Sequence, residues 1–459
     1  MASYFYIYIV SSVILVFYFI RKAKPEYPIL TFLICLWIFN GDVANMEGLK
    51  VSVGGAFDLQ PLRVLFLFSV AFLIIDPFIK QYKKRSNHTE FRVQPRYEAY
   101  LIAFTIVSAI SFIIYTASNP AKLFVALTTV SSFLVIYFAV KRGADEGMKK
   151  VVKNSLVSVA VISCLIAVYQ LVGDQSFFRV NPDYGRTAFG GLLRSTGVFR
   201  DDYIHSYVVF TALVWVSFTD FYGIKKRILG GIFLVGILVA FMRMGYVVTA
   251  FFVAHAIIYA SNVNLKLKVL VITFSVIISV FALFLVLSSG VMESSVAQER
   301  MMDEGTMELR YELYQKGLEV SFSDINGLIF GYGGTESPTY YKAMYDVTGN
   351  QSWALGERGG WHNLFLEVLF FNGLPALIFL CLFLYSITQY YLRLNKITEH
   401  EEYYIPFYLV VGYLIANLTL GLGLETNFGI IIAISSAIML KKRESQIKIE
   451  SSYASKNYA

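Results

Sequence analysis

Charge is what this sequence has least of. Only 15% of its 459 residues are Asp, Glu, Lys or Arg, 56% are apolar, and the mean hydropathy is +0.59. Soluble domains carry about 25% charged and about 45–50% apolar residues, so an ordinary cytosolic enzyme and a disordered chain are both excluded. Cysteine is scarce as well. Cys35, Cys164 and Cys381 each lie inside an apolar run, which argues against a disulfide framework or a cysteine-held metal. The sequence has no Asp-x-Asp, no His-x-x-x-His and no Cys/His cluster, so it carries no metal-site signature. It also has no Gly-x-x-x-x-Gly-Lys-[Ser/Thr] loop, no long-period repeat and no low-complexity tract; nothing points to an ATP-driven pump.

What the chain does have is length in apolar runs. They fall at about 4–20, 28–40, 61–79, 98–116, 120–140, 151–172, 204–222, 228–241, 245–260, 269–290, 362–390, 404–420 and 426–440. At about 20 residues per bilayer crossing, they read as 13 candidate helices, with 28–40 and 228–241 short enough to be half-spans or buried segments. The 16% of aromatic residues suits many water–lipid boundaries. The expected fold is therefore an all-α polytopic membrane protein with 12–13 transmembrane helices.

The net charge of +7 is dispersed in short clusters rather than gathered into one patch, so it marks topology and not nucleic-acid binding. No Lys or Arg precedes the first run, whereas Arg21, Lys22 and Lys24 follow it. A cleaved signal peptide has the opposite order, so the first run reads as an anchor with its N-terminus outside. With 13 alternating spans, 26 of the 39 Lys and Arg fall in inner loops, the positive-inside pattern. The expected layout is an N-terminal bundle of six spans (1–172), an external loop (173–203), central spans (204–290), a large external loop (291–361), C-terminal spans (362–440) and a polar, disordered inner tail (441–459). In a bacterium this is an inner-membrane protein whose loops 173–203 and 291–361 face the periplasm or exterior. Long external loops usually carry function. Within the second, Ser295-x-x-Gln298 resembles a capping box. The spacing of Leu309, Leu313 and Val320 predicts an amphipathic helix over 307–321, broken by Gly331-Tyr332-Gly333-Gly334.

The stretch richest in chemistry is His362 to Gly373. By this topology His362 opens a helix at the outer face, where the positive end of the helix dipole disfavours a protonated ring. A neutral imidazole there can take a hydroxyl proton; the plainer reading is a histidine that caps the helix. Arg179, Arg186, Arg194 and Arg200 share one outer loop, Arg243 sits in a tight outer turn and Arg310 lies on the amphipathic helix. Arginine suits bidentate grip on phosphate. The same side chains could also snorkel to head groups or pair with Asp183, Asp201, Asp202 and Glu308. Asp42, Glu47 and Asp58 read as a solvated acidic loop. Glu367 lies about 140° round an ideal helix from His362, a poor direct partner, although an acid at that depth is a functional hint. Tyr340, Tyr341, Tyr345, Trp353 and Trp361 could stack on sugar rings or anchor at the interface.

These features together resemble the bacterial O-antigen polymerase and O-antigen ligase superfamily. His362-Asn363, nine residues and Gly373 resemble the ligase pattern His-[Asn/Ser/Gln]-x9-Gly-x-x-Gly, with Ala376 in place of the last glycine and Pro375 before it. Arg194-Ser195-Thr196-Gly197-Val198-Phe199 resembles an Arg-x-x-Gly-x-Phe segment, Met242-Arg243-Met244-Gly245 a Ser-Arg-Gly turn without its serine, and Arg310 to Gly331-Tyr332-Gly333 an Arg…Gly-x-Gly loop. Arg186 to Gly197 also fits a polymerase Arg-x10-Gly spacing, which is expected about once by chance at this composition. The resemblance covers roughly 180–440. It implies a C-type membrane glycosyltransferase fold, a glycan donor on undecaprenyl pyrophosphate, and neither metal nor cofactor. On that basis His362 is the candidate catalytic residue, Arg194, Arg243, Arg310 and Arg186 are candidates for the pyrophosphate, and Trp353, Trp361 and Tyr340 for the glycan. Expected partners are the lipid-linked oligosaccharide and membrane lipids, with a chain-length regulator and a flippase alongside a polymerase, and no nucleic acid. Three functions stay open: a polymerase of repeat units, a ligase moving finished polysaccharide to lipid A-core or protein, and a lipid-linked oligosaccharide flippase.

Overall fold

A computed structural model describes residues 2–41, 43, 51–53, 57–83, 94–116, 119–179, 193–219, 223–259, 304–335, 337–349 and 360–457. Fifteen helices occur among them: α1 (Ala2–Ala23), α2 (Pro28–Asn40), α3 (Pro61–Lys83), α4 (Arg96–Thr116), α5 (Pro120–Gly143), α6 (Glu146–Val172), α7 (Asp202–Phe218), α8 (Gly223–Val239), α9 (Arg243–Tyr259), α10 (Glu304–Ser323), α11 (Ile325–Phe330), α12 (Pro338–Thr348), α13 (Leu364–Thr398), α14 (Tyr404–Ala416) and α15 (Asn427–Asn457). A hairpin of two three-residue strands, β1 (Val51–Val53) and β2 (Phe57–Leu59), is the exception to an all-α protein. Six helices, α1, α3, α4, α5, α6 and α13, are long and apolar enough to cross a membrane. Each apolar run that falls on described residues lies on a helix. The run at 269–290, the Ser295 capping box, Arg186 and Trp353 lie outside the described residues.

Local chemistry sets the helix starts. Pro28, Pro120 and Pro338 stand in first turns, where a missing N–H costs nothing. Asn119, Asp145, Asp324, Ser337 and Asn363 cap their helices through side-chain oxygens. The short α14 is apolar all round and almost wholly buried, touching α7, α9, α13 and α15, as such a helix must.

At one end of the bundle Lys141 meets Glu98 at 2.6 Å, Arg142 meets Asp76 at 3.3 Å, and Lys149 meets Glu402 at 2.8 Å, with Lys442 on the same carboxylate. These pairs join α4 to α5, α3 to α5, and α6 and α15 to the turn between α13 and α14. At the other end the Tyr8 hydroxyl donates to Phe39 O (2.8 Å), Val43 bridges Phe199, and Tyr4 meets Phe177 edge-on. The starts of α7, α9, α13 and α15 share that second end, as do the finishes of α2, α6 and α14.

Two expectations need correcting. The amphipathic helix exists as α10, but it stops at Ser323, before the glycine tract. The Asp324 carboxylate accepts from Gly327 N (3.0 Å) and starts a separate helix, which Gly331 ends at φ +70°. The polar tail is not irregular either: α15 runs on to Asn457. The tail has no Gly or Pro to stop it, and Lys441 pairs with Glu444 one turn on (3.3 Å).

Candidate functional site

His362 does not open α13. The Asn363 side chain accepts from Leu366 N (3.1 Å), so Asn363 is the N-cap and the helix begins at Leu364. His362 stands before the cap with φ +52°, a left-handed conformation in which histidine is among the better tolerated side chains. Its backbone is held from two sides. The Tyr314 hydroxyl of α10 donates to His362 O (3.1 Å), while Asn363 Nδ2 donates to Leu418 O (3.2 Å) and Leu364 N to Asn417 O (3.3 Å). Asn417 is buried and fastens the next loop in turn, donating to Tyr413 O (3.1 Å) and accepting from Leu422 N (2.7 Å).

Two turns on, α13 is broken. Gly373 has φ +84° and Pro375 has no N–H to give Phe371 O. The freed carbonyls are met from the large loop and from α4: Tyr332 N donates to Phe370 O (2.8 Å), and Gly333 N (3.0 Å) and Ser111 Oγ of α4 (2.8 Å) donate to Phe371 O. No side chain fits in this crossing. A Cβ on Gly373 would lie 2.3 Å from Ile329 O, and one on Gly331 would lie 2.3 Å from Phe371 C. The two glycine motifs that looked separate in the sequence are halves of one interlock, which fixes α10–α12 to the start of α13.

Beside His362 lie groups that the sequence weighed lightly or missed. The Glu367 carboxylate sits where glycines leave room: a Cβ on Gly421 would be 1.9 Å from its Oε1, and one on Gly360 2.7 Å. It interacts electrostatically with Glu425, itself set against Gly423. Burial raises the Glu425 carboxyl above the ordinary carboxylate range. Arg310 stands one turn before Tyr314 on α10, and both Arg310 and Glu367 act electrostatically on the Tyr314 hydroxyl. His362, Arg310, Tyr314, Glu367 and Glu425 therefore form one group.

Arg194 belongs to a second group at the same end of the bundle. Its guanidinium meets Asp202 at 3.0 Å and acts on the Tyr246 hydroxyl, one turn into the helix that Arg243 begins. Arg179, 5% exposed, donates to Arg194 O and interacts with the same Asp202. Two guanidiniums thus share one carboxylate, and both Nε atoms are buried without an acceptor. Arg200 is exposed and lies in a loose pair with Asp201 (3.9 Å). Packed aromatics join the two groups: Tyr413 lies 5.8 Å from Phe428, which stacks on Tyr207 of α7 at 4.7 Å.

The glycan candidates Tyr340 and Trp361 require correction. Both are wholly buried, 6.0 Å apart and edge-on, against Phe370 and Phe371, so their rings build the core under α10 and α12. Among the described residues of that tract the exposed rings are Tyr341 and Tyr345, stacked on one another. Tyr314 and Glu425 carried no signal beyond their residue type. Asn417 and Gln170 had one: each is an amide inside an apolar run.

Residues 228–381 match the family described as O-Antigen ligase. The match supports the O-antigen polymerase and ligase superfamily. It spans α8 to the kinked half of α13 and takes in Arg243, Arg310, His362 and the glycine interlock, but not Arg194. Among curated proteins none matches the chain. The superfamily supports glycan transfer from a lipid-linked donor in a membrane.

Proposed function

We propose that the protein polymerises undecaprenyl-pyrophosphate-linked repeat units of O-antigen or a similar polysaccharide at the periplasmic face of the bacterial inner membrane. The observation that carries this reading is that the Tyr314 hydroxyl, which Arg310 acts on electrostatically, donates to His362 O just before the start of α13, within the segment that matches the O-antigen ligase family. In the proposed reaction the acceptor hydroxyl attacks the anomeric carbon from the face opposite the lipid diphosphate. The new C–O bond forms as the bond to the diphosphate oxygen breaks, and configuration inverts. The electron pair leaves on the diphosphate, where Arg194, Arg243 and Arg310, with Arg186, stabilise the growing charge. His362 takes the hydroxyl proton, and Glu367 with Glu425 is the alternative base. The exposed pair Tyr341 and Tyr345 replaces Tyr340 and Trp361 as the surface offered to sugar.

Purified protein is incubated with lipid-linked repeat unit alone. A ladder of products is expected, and His362→Ala is expected to abolish it; wild-type polymer length and yield from that variant would remove the base assignment. The second reading is a ligase, favoured by the family's description. Transfer only after a second acceptor is added would establish it over the polymerase.

A further inference from the structure

The segment from Arg194 to Arg200 has no helix and one single-residue bridge, Phe199 to Val43, yet Ser195 to Phe199 are buried. Backbone groups in such a place must find partners, and here side chains of α6 supply them. The Gln170 carboxamide uses all four of its hydrogen-bonding positions. Its oxygen accepts from Thr196 N (2.9 Å) and Gly197 N (3.0 Å); its nitrogen donates to Gly197 O (3.1 Å) and Phe177 O (2.8 Å). Two turns earlier Ser163 Oγ accepts from Val198 N (3.2 Å) and lies 2.7 Å from His205 Nδ1. His205 Nε2 faces Gly236 O at 3.0 Å. A carbonyl can only accept, so Nε2 carries the ring proton and the serine hydroxyl donates to Nδ1. Gly197, at φ +59°, closes on this pair: a Cβ there would sit 2.0 Å from Ser163 Oγ. At the head of the segment Arg179 donates to Arg194 O.

We propose that Gln170 is a positioning residue for the diphosphate: by holding Thr196, Gly197 and Phe177 at once, it fixes the direction from which the Arg194 guanidinium meets a polyprenyl diphosphate. The proposal rests on the assignment of Arg194 to the diphosphate and deepens it. A satisfied amide is suited to this task because it is neutral, planar and donates and accepts on opposite edges. A carboxylate in its place would turn acceptors toward Phe177 O and Gly197 O, releasing one side of the loop while leaving its shape and volume unchanged.

The test is a double-mutant cycle on the full-length protein in detergent, reading the Kd for geranylgeranyl diphosphate in wild type, Gln170→Glu, Arg194→Ala and the double variant, with melting temperature as a control. Gln170→Glu is expected to weaken binding about tenfold on its own and to add nothing once Arg194 is gone. A residue that only stabilises the fold gives an additive cycle. Should Gln170→Glu not accumulate, Gln170→Met enters the same cycle, since it keeps the length of the side chain but gives up the amide that holds Thr196, Gly197 and Phe177. Unchanged Kd in Gln170→Glu, or an equal loss on the Arg194→Ala background, overturns the proposal. Wild-type Kd in Arg194→Ala is a different result: it removes the assignment of Arg194 and the inference with it.

Discussion

A side chain here is worth what its immediate surroundings let it do. Arg243 begins α9 and is exposed, whereas Arg179 is buried. Arg243→Lys keeps the charge but loses the planar donor pair that suits a diphosphate. Turnover of lipid-linked repeat unit is expected to fall at least tenfold, about 1.4 kcal/mol of transition-state binding, with the melting temperature unchanged. Glu425 yields a pH prediction with a definite sign. Burial raises its folded pKa, so the folded state holds the proton more tightly than the unfolded one. Its contribution to stability is then fully present below the unfolded carboxylate value and is lost as pH rises through the raised folded one. Glu425→Gln should raise the melting temperature at pH 8 and leave it unchanged at pH 4; equal shifts at both would show that the carboxylate does not titrate in this way.

At the scale of elements, the kink in α13 is the joint on which the site depends. Gly331 and Gly373 both sit at positive φ with backbone where a Cβ would go. Gly373→Ala combines strain with a clash and should cost about 2 kcal/mol, read as a lower melting temperature. Gly331→Ala strikes the same crossing, so the double variant should lose less than the two single losses added. The helix itself was legible from the apolar run that follows His362; its break at Gly373 was not. That the start is Asn363 rather than His362 was not, because it turns on which side chain reaches Leu366 N. Nor could the tract Gly331 to Gly334 disclose that its amides serve carbonyls on a helix some 40 residues further on.

For the whole molecule, the two ends of the bundle make the sidedness testable. The expectation is that Lys225 lies inside, and that Tyr341, exposed on α12, lies outside. In intact cells a membrane-impermeant thiol reagent should label Tyr341→Cys, and Lys225→Cys only after lysis. The reverse pattern would invert the topology.

The sequence alone determined that this chain is a membrane-embedded helical protein, where its helices lie, and which residue types were available for chemistry. Those properties are local: in lipid each span must satisfy its own backbone, so an apolar run of sufficient length is read as a helix wherever it occurs. Tertiary structure decided which of these residues meet. It sent Tyr340 and Trp361 to the core, brought Tyr314 to His362 and Arg194 to Asp202 at one end of the bundle, set Glu367 against Glu425, and put Gln170 beneath Gly197. Such contacts join segments far apart along the chain and leave no periodicity for a sequence pattern to reveal; they follow from packing in three dimensions, where a missing Cβ or a freed carbonyl determines what fits.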